Sequence, residues 1–204
     1  MRRFVALTCV AVLTAGVSWA QTVQVTATVE TEPVPSNGDA ADDPAIWIHP
    51  TDPLFSTILG TDKQLGLAVY DPSGVELQLI PDGELNNVDL RYDVPMCDGT
   101  VDLAVAGDRG DNTLAIYEID PATGLLSDLA ARTIFVGVPP HGLALYRSPD
   151  TGRVYLFITD VTGAVEQWEL FDDGTGRIDA SLVRQFDVGS KSEGMVTDDE
   201  LGLL

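Results

Sequence analysis

Apolar and polar residues alternate with a period of two along much of this chain. The stretches VELQLI (75–80), NVDLRYDV (87–94), VDLAVAG (101–107) and VYLFITD (154–160) each alternate in this way. That spacing predicts half-buried β-strands. The 3.6-residue period of an amphipathic helix is nearly absent. Between the strands stand DPSG (71–74), DPATG (120–124), SPDTG (148–152) and DDGTG (172–176). Asp or Ser opens such turns, and Gly near the end supplies the positive φ.

The strands recur. GLAVYDPSG, TLAIYEIDPATG and AVEQWELFDDGTG read as one unit, an apolar strand with an aromatic and then a turn. Their aromatics, Tyr70, Tyr117 and Trp168, stand 47 and 51 residues apart. A second series, DPAIW from 43, NNVDL from 86, HGLAL from 141 and EGMVT from 193, repeats at 43, 55 and 52 residues. A period of about 40–50 residues with four short strands per unit predicts β-propeller blades. A β-sandwich of similar strand density is the alternative. The fold class expected is all-β, a β-propeller with about three blades and the start of a fourth. Rings of this kind close with about 4 to 8 blades, so residues 21–204 read as the amino-terminal part of a longer propeller. Residues 21–37 read as an opening strand followed by a Pro-rich loop.

The first residues change the picture of location. Met1-Arg2-Arg3, then FVALTCVAVLTAGV, then SWA before Gln21, have the charged, apolar and small-residue order of a cleavable secretory leader. We expect residues 1–20 to be a signal peptide and the mature protein to be secreted or periplasmic. Cys97 is then the one remaining cysteine, and no intramolecular disulfide is possible. A large core or bound metal must supply rigidity.

The whole chain carries a formal net charge of −21, and loss of Arg2 and Arg3 with the leader takes it to −23. Such a surface repels nucleic acid and anionic membranes and invites divalent cations. Acidity also keeps a secreted protein soluble, so charge alone assigns no site.

Candidate chemistry begins in DAADDPAIW. Asp39, Asp42 and Asp43 crowd the start of a core strand, where like charges repel. Ca²⁺ takes six to eight oxygen ligands from carboxylates, carbonyls and water, and these acids would supply several. Alternatively, Asp39 and Asp42 cap turns through local bonds to backbone. Lys63 and Arg109 are rare cations at matching positions, each just before a repeated strand type. Together they form a phosphate clamp, or each pairs with its neighbour, Asp62 or Asp108. Glu193 opens the fourth unit where Asp43 opens the first, which would set the two facing across a ring axis. His49 reads as a structural residue, and His141 opens a unit and reaches towards the channel. No G-x-S-x-G, H-E-x-x-H, P-loop or C-x-x-C motif supports a triad, zincin or redox chemistry.

DAADDPAIW (39–47) followed by NNVDLRY (86–92) resembles the two characteristic motifs of the β-propeller phytases. The likeness continues through GTDKQLGLAVYD, AGDRGDNTLAIYEID, GAVEQWEL and SEGMVTDDE, from about residue 24 onwards. The resemblance implies a six-bladed, secreted phytase, a monomer when complete. It implies hydrolysis of phytate, as its calcium salt, with several Ca²⁺ ions that bind substrate phosphates, activate the attacking water and brace the fold. By the same resemblance Asp43 is a calcium ligand with the carbonyls of Pro44 and Val88. Asp42, Glu30 and Glu193 belong to the active-site calcium cluster, and Lys63 and Arg109 bind phosphate, with Glu193 beside them in catalysis. Two departures stand out. His141 replaces a phosphate-contacting Tyr, and Val161 and Thr162 stand where the family carries a Lys-Glu pair. The second phosphate position is then weakened, or rebuilt by Asp160 and His141. A calcium-dependent propeller hydrolase of another substrate, such as a lactone, and a propeller reduced to a binding module are the alternatives. The cationic rim speaks against the first, and Val161 and Thr162 keep the second open.

Overall fold

The structure is a computed structural model and describes residues 23–204. The expected leader at 1–20 lies outside the described residues.

Three antiparallel sheets follow one another along the chain, each laid down in sequence order. Blade 1 comprises β1 (Ala41–Trp47), β2 (Thr57–Asp62), β3 (Gly66–Tyr70) and β4 (Glu76–Ile80). Blade 2 comprises β5 (Leu85–Met96), β6 (Gly99–Asp108), β7 (Thr113–Ile119) and β8 (Leu126–Asp128), with β9 (Ile134–Phe135) also paired to β7. Blade 3 comprises β10 (Gly142–Arg147), β11 (Val154–Thr159), β12 (Ala164–Asp172) and β13 (Ile178–Asp187). Four strands in simple up-and-down order are blades of a propeller, not the exchanged strands of a sandwich. The repeated aromatic strands are β3, β7 and β12, the third strand of each blade.

The turns follow the chemistry of the sequence. Asp71, Asp120 and Asp172 each accept backbone N–H groups from two residues on, and Gly74, Gly124 and Gly176 close these turns at positive φ.

Two apolar layers bond the blades, and β6 feeds both. Leu103 and Val105 join Ile116, Leu145, Leu156 and Ile158 between blades 2 and 3. Ala104 and Ala106 face the other way, against Trp47, Leu59, Leu67 and Tyr117. VDLAVAG, expected to be half-buried, is therefore buried on both faces from Leu103 to Gly107. A central blade has no solvent face, so a continuous apolar run replaces alternation. Small Ala side chains on one face leave room for Trp47, which is 0% exposed. Each Leu or Ile buried this way contributes about 1.5–3 kcal/mol. Trp47 also donates from Nε1 to Asp102 Oδ2 at 2.7 Å, tying blade 1 to blade 2.

Two expected elements are not strands. Residues 23–40 form no strand. Pro33 and Pro35 lack the N–H that a ladder needs, and the segment is held by Glu32 N–H donating to the Gly74 carbonyl at 2.7 Å. Residues 188–204 form only an isolated Asp198–Leu203 bridge and lie against blade 3.

Candidate functional site

Register places the candidate residues at one end of the blades. Ala41 pairs with Asp62, Leu85 with Asp108 and Gly142 with Thr159. The starts of the inner strands β1, β5 and β10 thus share a rim with the β2–β3, β6–β7 and β11–β12 turns. Each of these turns opens with an Asp. Asp62 accepts from Ser36 N–H and Gln64 N–H at 3.0 Å each. Asp108 accepts from Glu84 N–H at 3.0 Å and Gly110 N–H at 2.8 Å. These carboxylates are consumed in holding the rim backbone.

Lys63 consequently does not pair with Asp62. Its ammonium reaches Asp39 at 2.9 Å and Asp42 at 3.2 Å, and its side chain is 13% exposed. Hydrogen bonding to Asp39, with a smaller share from Asp42, raises the Lys63 pKa above its ordinary value. Asp39 and Asp42 are thus partners of one cation. Arg109 has no ion pair among the described residues, and its N–H donates to the Glu84 carbonyl at 3.1 Å. The alternative of Asp62 and Asp108 as the cations' partners is corrected on both sides.

Asp43 differs from Asp42. Its N–H donates to Thr61 Oγ1 at 2.9 Å, and its Oδ2 accepts from Val88 N–H at 3.1 Å. It has no cationic partner among the described residues. Burial pushes its carboxyl above the usual range, against the Val88 and Asn87 hydrogen bonds, while Asp42 and Asp89 add to the rise. Asp43, Pro44, Val88, Asp89, Leu143 and Met195 line a cavity of about 310 Å³ between the inner strands.

Glu193 sits beside His141 and is not among the residues that line this cavity. Its Oε2 lies 3.5 Å from His141 Nε2 and 3.5 Å from Lys191 Nζ. Among the described residues neither ring nitrogen of His141 finds a hydrogen-bond partner, and the ring is largely covered. The His141 N–H donates to the Thr159 carbonyl, and its own carbonyl accepts from Asn86 Nδ2 at 2.8 Å. An exposed pair such as Lys191–Glu193 contributes about 0–1 kcal/mol.

Glu30 is not brought to the rim acids. Its backbone lies against Gly74 at the opposite end of blade 1. The five residues of β3 separate the two ends, roughly 16 Å of extended chain. Glu30 shares with Asp42, Asp43 and Pro44 an open groove of about 630 Å³ that runs along blade 1 from β1 to Tyr70. Among the described residues no three Asp, Glu, His or Cys side chains converge as a metal site. His49 is structural as expected: its Nδ1 accepts from Asp52 N–H at 3.0 Å.

In blade 3, Asp160 Oδ1 accepts four hydrogen bonds from Thr162, Gly163 and Ala164. Asp160 caps its own turn and does not join His141. Val161 follows it, 57% exposed, where Lys63 and Arg109 follow Asp62 and Asp108.

Sequence reasoning passed over two positioning groups. Thr61, 1% exposed, donates to the Asn86 carbonyl at 2.7 Å and so stitches blade 1 to blade 2 beneath the rim. Asp89 and Arg91 pair at 3.1 Å, and Asp89 also accepts from Leu145 N–H at 2.8 Å. The signal for the latter was available: opposite charges two residues apart, and so on the same face of one strand.

The phytase family model matches residues 1–204. The 3-phytase of Bacillus subtilis (strain 168) is 43% identical over 186 residues, which cover 89% of this chain and 49% of that protein. The chain spans about half the length of this curated relative. With four-stranded propeller blades and a match over its whole length, the chain belongs to the phytase family.

Proposed function

We propose that this chain is part of a secreted phytase, a calcium-dependent hydrolase of the phosphomonoesters of myo-inositol hexakisphosphate, a monomer in a propeller completed to six blades. The observation that carries this reading is the rim. Lys63 and Arg109 sit at equivalent positions in adjacent blades, beside acids that outnumber them. Phytate and this protein are both densely anionic, so close approach requires cations between them. The leader-like residues 1–20 support export.

The donor set fits a hard ion in type. Asp43 is a half-buried carboxylate whose nearest charged neighbours are acids, the condition under which a cation lowers the energy of the site. Asp43, Asp42 and the carbonyls of Pro44 and Val88 would hold Ca²⁺, with Glu193 at the far side of the rim. When bound, a divalent ion supplies neutralisation of phosphate oxygens and acidification of a water. This chain's residues do the rest. Lys63 and Arg109 bind phosphate oxygens, Arg109 with a bidentate fork. Asp62 and Asp108 fix the turns that carry these two cations.

The test is phosphate release from phytate by the full-length protein, first in calcium and then with a chelator. Release that calcium supports and chelation abolishes is the expected result. No release in calcium discards the hydrolase, and release that survives chelation discards the metal. The exposed Val161 favours a second reading, a propeller that binds polyphosphates with little turnover. Tight binding without release would select it.

A further inference from the structure

We propose that Lys191 is a substrate-binding cation, supplying from the next segment of the chain the positive charge that the third blade's turn lacks. This rests on the reading of the rim as a polyphosphate site. The β2–β3 turn presents Lys63 after Asp62 and the β6–β7 turn presents Arg109 after Asp108, but the β11–β12 turn presents Val161 after Asp160. A ligand with phosphates arrayed around a ring gains from cations spaced around the rim, and the third blade leaves a gap.

The backbone returns over that gap. Val188 N–H donates to the Gly163 carbonyl at 2.9 Å. Gly163 has φ +103°, and a Cβ there would lie 2.4 Å from the Ser190 carbonyl oxygen. A Cβ on Gly142, which opens β10, would lie 2.2 Å from the Glu193 carbonyl oxygen. Two glycines thus admit Ser190 and Glu193 into contact with the rim of blade 3, and Lys191 lies between these two anchors. The Lys191 side chain is 58% exposed, and among the described residues its one ion pair is the 3.5 Å contact with Glu193. Such a pair is easily exchanged for a phosphate, because the ammonium is a mobile point charge on a flexible stem.

The experiment is calorimetric titration of the full-length protein, in calcium, with myo-inositol hexakissulfate, a polyanion without phosphate to release. Lys191→Ala is expected to weaken binding about tenfold, the scale of one lost charged contact. Lys191→Arg should stay near wild type. Adding Val161→Lys to Lys191→Ala should recover most of the affinity, since it places the charge where the other two blades carry theirs. A role confined to positioning Glu193 or His141 would not be rescued from residue 161. Affinity within twofold of wild type in Lys191→Ala, failure of the rescue, or no binding by the wild type overturns the inference. Wild-type binding without phosphate release from phytate discards the hydrolase reading alone, and the comparison of variants still decides the role of Lys191.

Discussion

The Asp43 carboxylate, at the start of the innermost strand of blade 1, accepts a 3.1 Å hydrogen bond from the Val88 N–H in the innermost strand of blade 2. The bond joins the two characteristic motifs of the sequence in space. It also holds an acid in a half-buried place among other acids, where hydrogen bonds from Val88 and Asn87, and no cation of the described chain, offset its charge.

Replacing Asp43 with Asn separates these two roles. Burial raises the carboxyl's folded pKa above its ordinary value. A raised acid disfavours the fold above its unfolded pKa, and that penalty fades as pH falls through the folded pKa. In chelator at pH 7 we therefore expect Asp43→Asn, which keeps an acceptor for Val88, to melt at or above the wild-type temperature. In calcium the wild-type rise in melting temperature should shrink in the variant. The wild-type rise should itself be lost on acidification at a higher pH than an ordinary Asp would give. Thermal unfolding between pH 4 and 8, with and without calcium, measures all three. A variant that melts lower in chelator and keeps the full calcium increment would show that Asp43 is purely structural.

Lys63→Ala and Arg109→Ala should each lower kcat/KM for phytate by about a hundredfold, the scale for one donor to a developing oxyanion. Stability should change by about 1 kcal/mol or less, since Asp39, the closer partner of Lys63, is exposed and Arg109 has no ion pair among the described residues. Only Lys63→Ala removes a cation that competes for Asp39 and Asp42. It should therefore bind calcium more tightly while turning over less, and Arg109→Ala should not. Equal calcium affinities in the two variants would show that Asp42 is not a ligand.

Arg91 gathers elements distant in sequence. It pairs with Asp89 at 3.1 Å and with Asp199 at 3.0 Å, and donates to Thr197 Oγ1 at 2.6 Å and to the Leu145 carbonyl. Arg91→Ala leaves Asp89 largely enclosed and without its partner, which should cost about 3 kcal/mol. Arg91→Lys should not restore it, because a point charge cannot replace the fork. Urea unfolding measures both. A loss below 1 kcal/mol would mean that water replaces the guanidinium.

Trp47→Phe keeps most of the apolar volume between blades 1 and 2 but deletes the Nε1 donor to Asp102. Asp102 retains the Asp93 N–H at 3.0 Å. The expected cost, about 2 kcal/mol, combines one lost charged hydrogen bond with a small cavity. Asp102→Asn should cost at least as much, since its one amide oxygen accepts from only one of the Trp47 and Asp93 N–H groups and its NH2 faces the other. A smaller loss in Asp102→Asn, read in denaturant titrations, would show that the Asp93 bond is dispensable.

Much of the architecture was legible because a propeller blade is a local object. Its strands are neighbours in sequence, so β3, β7 and β12 showed themselves as a repeat, and Asp71, Asp120 and Asp172 marked the turns that follow. The opening strand expected within 21–37 does not form at 23–37, because strand propensity says nothing of which neighbour would accept the backbone hydrogen bonds. The half-burial expected of β6 fails for a similar reason: periodicity reports the faces of one sheet, not whether other sheets cover both.

The site divides along the same line. The sequence by itself determined which chemistry is present: oxygen donors at 39, 42 and 43, cations at 63 and 109, and a blade without a cation at 161. It also determined that these positions share a rim, because blade repeats place equivalent residues equivalently. Only the tertiary structure decided the pairings. Lys63 turns to Asp39 and Asp42 because Asp62 is already spent on Ser36 and Gln64. Glu30 stays a strand's length from the rim, and Glu193 stands with Lys191 and His141. Such choices depend on which polar groups the backbone has already satisfied. That accounting closes only when residues far apart in the chain are in contact.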